Sequence, residues 1–190
     1  MEQRYMELKN VTTRSDDDGV YLEGIFVAYD SIYNVYPGAT ESIARGAFTD
    51  SINGDVRALY NHNTDIVLGR TSAGTLELRD TEEGLWGRIK INPQDSDAMN
   101  AYARIKRGDL TGCSFGFDIP EGGENVTYKE NGDVHFTITK VEPLVEVSPC
   151  VFPAYEATHI SARRKDLEEV RKRQTDAWKE KAKQKLKGED

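Results

Sequence analysis

Three side chains of this sequence could together supply a nucleophile, its base and a counter-charge for that base. Ser114 stands in Leu110-Thr111-Gly112-Cys113-Ser114-Phe115-Gly116-Phe117. If that run is a strand, alternation sends Cys113, Phe115 and Phe117 to one face and Ser114, Gly116 and Asp118 to the other. Gly112 and Gly116 then bracket the serine with open space. Glycine inside a strand often marks close approach by another backbone or a ligand, and a substrate backbone could use that space. His62 follows the strand-like run 56–60 at its polar end, Asn61-His62-Asn63. An imidazole at a strand end can reach a neighbouring strand, and its ordinary pKa suits a general base at neutral pH. Glu146 is the one charge in Leu144-Val145-Glu146-Val147-Ser148. A carboxylate is buried only when paired, and an imidazole N–H is a suitable donor; that pairing fixes the tautomer and stabilises the imidazolium formed when a serine loses its proton.

Each residue alone has a plainer reading: a serine on a glycine-bearing strand, a structural histidine, an edge-strand glutamate facing water. His135, just after a Gly- and Asn-rich stretch, and His159, at the edge of the charged tail, are rival bases. Cys113 is a rival nucleophile, but alternation turns it toward the face of the two phenylalanines, away from the exposed, electropositive setting a reactive thiol needs. Cys113 and Cys150 are the only cysteines and lie in no metal-binding spacing, so both are expected as free buried thiols. The phosphate-binding glycine loop and the H-E-x-x-H helix are missing, and no cofactor or metal is expected.

The elements that must position these groups follow from periodicity and turn signals. Residues 20–29 read as a strand, 33–40 as a loop around Pro37-Gly38, and 41–52 as a short helix with Ile43, Ala47, Phe48 and Ile52 near one face. Strands are expected at 56–60, 76–78 and 85–91. Residues 95–107 carry Ala98, Tyr102 and Ile105 at helical spacing, with Asp95 or Ser96 to cap the start and Gly108 to end the helix. Strand-like runs resume at 111–119 and 134–143, separated by a hairpin or loop at 121–132. A last apolar run, 144–152, is broken at Pro149 and Pro153. Mixed elements with short connections imply an α+β domain on an antiparallel sheet or barrel.

With 190 residues, 37% apolar and 31% charged, the chain is long enough for one domain and a remainder. The expected boundaries are a domain at 1–162 and a charged helical tail at 163–190. The tail holds 11 Lys and Arg against 7 Asp and Glu, a balance of +4; the rest holds 14 against 26, or −12. The tail lacks Pro up to its end and favours a helix, but its apolar positions are sparse. An acidic body argues against a phosphate-binding groove, so no nucleic-acid partner is expected. The first residues, Met1-Glu2-Gln3-Arg4, do not form an apolar leader, and no apolar run reaches the ~20 residues of a membrane helix, so no membrane partner is expected and the chain is placed in the cytoplasm.

Taken in order, the segments resemble the prohead serine protease family of tailed bacteriophages, itself similar in fold to the herpesvirus assemblin proteases. The resemblance covers roughly residues 20–160. It rests on Gly46-Ala47-Phe48, Leu59-Tyr60-Asn61-His62 with Leu68-Gly69, Gly84-Leu85, the helix ending at Gly108, Leu110 through Phe117, and Val145-Glu146-Val147-Ser148-Pro149 followed by Pro153-Ala154-Tyr155. It implies a herpesvirus-protease-like, antiparallel β-barrel-like core with flanking helices. It also implies a serine endopeptidase that cleaves scaffold or capsid-protein segments inside the immature shell in the host cytoplasm, and a possible homodimer or higher oligomer. The family's serine and histidine map onto Ser114 and His62. The herpesvirus enzymes use a second histidine as third member, but neither His135 nor His159 stands in the matching strand, so Glu146 is expected to orient His62. The oxyanion donors are expected to be backbone N–H groups. The rival readings are an inactive scaffold or assembly protein on the same fold, and a small β-barrel binding module with a peptide groove.

Overall fold

Alternating runs dominate the sequence, and thirteen strands with a single α-helix form among the described residues. The computed structural model describes residues 2–7, 9–16 and 19–151, all within the compact unit Met1–Ala154. The strands are β1 (Glu2–Glu7), β2 (Lys9–Asp16), β3 (Gly19–Ala28), β4 (Tyr33–Tyr36), β5 (Ala39–Ile43), β6 (Arg57–Tyr60), β7 (Asn63–Arg70), β8 (Leu76–Asp80) and β9 (Gly84–Ile91). After the helix α1 (Ser96–Arg107) come β10 (Gly112–Phe117), β11 (Glu124–Tyr128), β12 (Val134–Ile138) and β13 (Leu144–Cys150).

These make three sheets: a five-stranded one in the order β1-β10-β13-β6-β7, and two four-stranded ones, β2-β3-β9-β8 and β11-β12-β5-β4. The expected barrel is therefore corrected to separate sheets without closure. The expectation of an antiparallel sheet needs the same correction, because β12 runs parallel to β5 and β13 parallel to β6. Both parallel pairs join strands distant in the chain, where no hairpin dictates direction. One helix flanks the sheets among the described residues, rather than several. The expected tail helix, residues 164–187, lies outside them. No helix among the described residues is long and apolar enough to cross a membrane.

The core joins the sheets through aromatic rings. Phe48 stacks on Tyr29 at 6.1 Å between centroids and meets Phe115 edge-on at 5.9 Å, and Phe115 stacks on Phe117 at 4.9 Å. Cys113, Phe115 and Phe117 all enter this core, as alternation along β10 requires. The helix delivers the chain to β10. Asp95 caps its start, its carboxylate accepting from the N–H groups of Asp97 (2.9 Å) and Ala98 (3.2 Å). Gly108, at φ 88°, ends it in a Schellman turn: its N–H donates to Ile105 O and that of Asp109 to Arg104 O. Ala98, Ala101, Tyr102 and Ile105 form the buried face.

Three local expectations are corrected. The helix expected at 41–52 is instead the end of β5 followed by separate turns and a single 3-10 turn at Ser51–Asn53. Ile43, Ala47 and Phe48 are buried and Ile52 packs against the core, so the apolar spacing is met by turns rather than by a continuous helix. The loop expected at 33–40 is the hairpin β4–β5, reversed by Pro37-Gly38 with Gly38 at φ 84°. Pro149 does not break the last run. Its carbonyl accepts from Asn61 N–H at 3.0 Å, so the N–H it lacks would point to the same side, away from β10, and the β10–β13 ladder loses no bond.

Candidate active site

The central strand of the five-stranded sheet is β13, and its polar face collects the candidate residues. Glu146 and Ser148, two residues apart, share one face. On β10, Ser114 lies opposite Ser148 and Gly116 opposite Glu146 in the antiparallel register. The serine and the carboxylate are thus brought to adjoining strands, and the residue across from Glu146 has no side chain to crowd it. Directly opposed residues of such a pair hold their Cβ atoms about 4.5–5.5 Å apart.

His62 arrives from the other side of β13. The parallel register Glu146↔Arg57 and Val147↔Ala58 lays β6 beside β13, and the chain reverses into β7 through Asn61 and His62. Both sit in the left-handed region, at φ 56° and 59°, as a two-residue type I′ hairpin turn requires. Asn and His tolerate that region better than most residues. The turn is tied to the end of β13 twice by Asn61, whose N–H donates to Pro149 O at 3.0 Å and whose Oδ1 accepts from Val151 N–H at 3.0 Å. From this anchored turn the ring of His62 lies against Glu146, Nδ1 to Oε1 at 2.8 Å, with side-chain exposures of 14% and 3%. Ser148 Oγ–H donates to the other carboxylate oxygen, Oε2, and Ser148 Oγ accepts from the His62 backbone N–H at 3.3 Å.

A carboxylate only accepts, so Nδ1 carries the ring proton and Nε2 presents a lone pair. Two buried side-chain atoms among the described residues have no hydrogen-bond partner in the protein: His62 Nε2 and Ser114 Oγ. One is an acceptor and the other a donor. Leaving each unmade costs about 1–3 kcal/mol, a penalty seldom retained where chemistry has no use for the group. Ser114 is completely buried. With β1 on one edge of β10 and β13 on the other, both backbone edges of the serine strand are occupied, so no edge of β10 is open to a substrate backbone.

His135 stands elsewhere. It belongs to β12, where its Nδ1 meets Thr40 Oγ1 at 2.8 Å and its Nε2 meets Ser42 Oγ at 3.0 Å across to β5. Both ring nitrogens are engaged in a different sheet from Ser114. His159 lies outside the described residues. Cys113 is fully buried and its thiol is pushed well above its ordinary pKa, by burial first and then by Cys150 and Glu146. Cys150, on the same face as Glu146, is pushed up to about 12 by burial and by that carboxylate. Neither thiol is a thiolate at neutral pH, the form a nucleophile needs.

Sequence reading missed Ser148 and Asn61. Ser148 was signalled by its spacing of two from Glu146, and Asn61 by its place before His62 in a tight hairpin.

The sequence profile of the family described as Caudovirus prohead serine protease matches residues 9–173. The prohead protease of Enterobacteria phage HK97 is 28% identical over 144 residues, 74% of this chain and 60% of that protein. The chain thus spans less than two thirds of that relative's length. A solved structure of the bacteriophage T4 capsid assembly protease, gp21, is similar over 78% of this chain and 99% of its own, at 13% identity and a TM-score of 0.47.

Proposed function

Because the chain belongs to the caudovirus prohead serine protease family, we propose that it is a serine endopeptidase in which Ser114 attacks, His62 is the general base and Glu146 holds that base. Its substrates are segments of scaffold or capsid protein inside the assembling prohead. The observation that carries this reading is that Ser114 Oγ and His62 Nε2 are both buried without a hydrogen-bond partner, each other included, while the other nitrogen of His62 is bound to a buried carboxylate.

The chemistry follows from that pairing. Oγ of Ser114 attacks the scissile carbonyl carbon while its proton passes to Nε2 of His62. The imidazolium is stabilised by Glu146 at 2.8 Å. It returns the proton to the leaving amine as the C–N bond breaks, leaving an ester on Ser114. Water, deprotonated by the same Nε2, hydrolyses the ester and restores the serine. Since Oγ is buried, binding must uncover it and let the substrate carbonyl take the place of what shields it.

The acidic body argues against a nucleic-acid partner. A likeness in fold to the herpesvirus assemblin proteases, and a homodimer or higher oligomer, belong to the same reading and are supported by the ordered motif series. The test is incubation with capsid and scaffold protein, the products read by mass spectrometry, for wild type and for Ser114→Ala. Cleavage by wild type and none by a folded Ser114→Ala variant is expected. Undiminished cleavage by that variant overturns the assignment, and no cleavage by wild type favours an inactive assembly protein.

A further inference from the structure

We infer that Ser148 is a positioning residue that couples the general base to its carboxylate, so that the site works as four residues rather than three. This rests on the assignment of Ser114, His62 and Glu146 above. Ser148 is completely buried on the central strand and lies directly opposite Ser114. Its hydroxyl has one proton and lone pairs, and both kinds of capacity are spent inside the site. The proton goes to Glu146 Oε2 and a lone pair takes the His62 backbone N–H at 3.3 Å.

The two bonds do different things. Glu146 uses Oε1 for His62, so Oε2 is the oxygen that would otherwise be buried without a donor. A hydroxyl donor there fixes the carboxylate plane while keeping its charge, and it competes with His62 for neither oxygen. The bond from the His62 N–H ties the left-handed turn to the same strand that holds Glu146. Imidazole and carboxylate are thereby referred to one side chain, and the 2.8 Å contact between them is set from both ends. Supporting hydrogen bonds of this kind hold a reacting constellation within the few tenths of an ångström that efficient proton transfer needs.

Size and hydroxyl must be separated in the test, because the position is closed on all sides. Ser148→Thr and Ser148→Val have nearly the same volume and differ by the hydroxyl alone. With folding monitored by thermal melts, kcat and KM are measured on a cleavable peptide. Valine is expected to lose about 10- to 100-fold in kcat relative to threonine, the loss of one hydrogen bond to a charged group, with KM changed less than about threefold. The same pair is then compared in a Glu146→Gln background. A residue acting through the carboxylate should there lose most of its effect, leaving less than about threefold between Thr and Val. Equal kcat for the two variants in the wild-type background overturns the inference, as does a difference that persists undiminished in the Glu146→Gln background. Failure of the protease assignment reads differently: a folded Ser114→Ala variant would still cleave the peptide.

Discussion

Replacing Glu146 by Gln exchanges one carboxylate oxygen for an NH₂ group and, on the proposed mechanism, should nearly abolish cleavage. The wild-type carboxylate is 3% exposed and accepts from His62 Nδ1 at 2.8 Å and from Ser148 Oγ–H. Glutamine is the same size, so the cavity term is absent and the effect is electrostatic. Its amide can turn its NH₂ toward Nδ1, which forces the ring proton onto Nε2, the nitrogen that must receive the proton of Ser114. It also leaves the imidazolium of the transition state without a counter-charge in a buried site. The corresponding change of a triad Asp to Asn costs about 10⁴-fold in kcat, which is about 5.5 kcal/mol at about 1.36 kcal/mol per tenfold. We expect a loss of about 10³- to 10⁴-fold in kcat for Glu146→Gln, against loss to the detection limit for Ser114→Ala and His62→Ala. His135→Ala is the control: it removes bonds to Thr40 and Ser42 in the other sheet, costs about 1–2 kcal/mol of stability, and leaves kcat within about tenfold. The assay is peptide cleavage at saturating substrate, with a thermal melt for each variant. A folded Glu146→Gln enzyme at wild-type turnover, with His135→Ala inactive, refutes this reasoning and assigns the orienting role to His135.

Four further outcomes are expected. Cys113 and Cys150 should resist a thiol reagent at pH 8 in the native protein and react at once in denaturant; rapid native labelling would contradict their burial. Because the Cys150 pKa is raised to about 12 on folding, its contribution to stability is complete below the unfolded thiol value of about 8.5 and is lost as pH rises toward 12, so the wild-type Tm should fall more steeply over that window than that of Cys150→Ala. Gly84→Ala should lower stability by about 3 kcal/mol, or Tm by about 6–12 °C, because Gly84 lies at φ 152° and a Cβ would stand 2.0 Å from Val27 O; an unchanged melt would refute the close approach. Deletion after Ala162 should spare cleavage of a short peptide but reduce incorporation into proheads, since the basic tail is proposed to tether the acidic body to scaffold or capsid surfaces; equal incorporation removes the tether.

The residues proposed to carry the chemistry stand out in the sequence because their signals are local. An isolated charge in Leu144-Val145-Glu146-Val147-Ser148, a serine between two glycines and a histidine at the polar end of an apolar run need only alternation and burial rules to stand out. The strand cores of β3, β6, β8, β9 and β10 and the capped helix α1 were legible for the same reason: their periodicity and stop signals lie within a few residues. The tertiary structure decided what depends on partners distant in the chain. The same apolar spacing at Ile43, Ala47, Phe48 and Ile52 fits a helix or a strand end followed by turns, and pairing of β5 with β12, some ninety residues on, selected the second. Directions of pairing, and hence two mixed sheets and one antiparallel sheet instead of a closed barrel, have no local signature where strands are joined by long connections. The choice of Glu146 over His135 as the partner of His62 was likewise tertiary. The β6–β13 register brings the hairpin turn to one, while the β12–β5 register saturates both nitrogens of the other. Composition and spacing specify which groups are available; only the registers of β13 with β10 and β6 determine which of them meet.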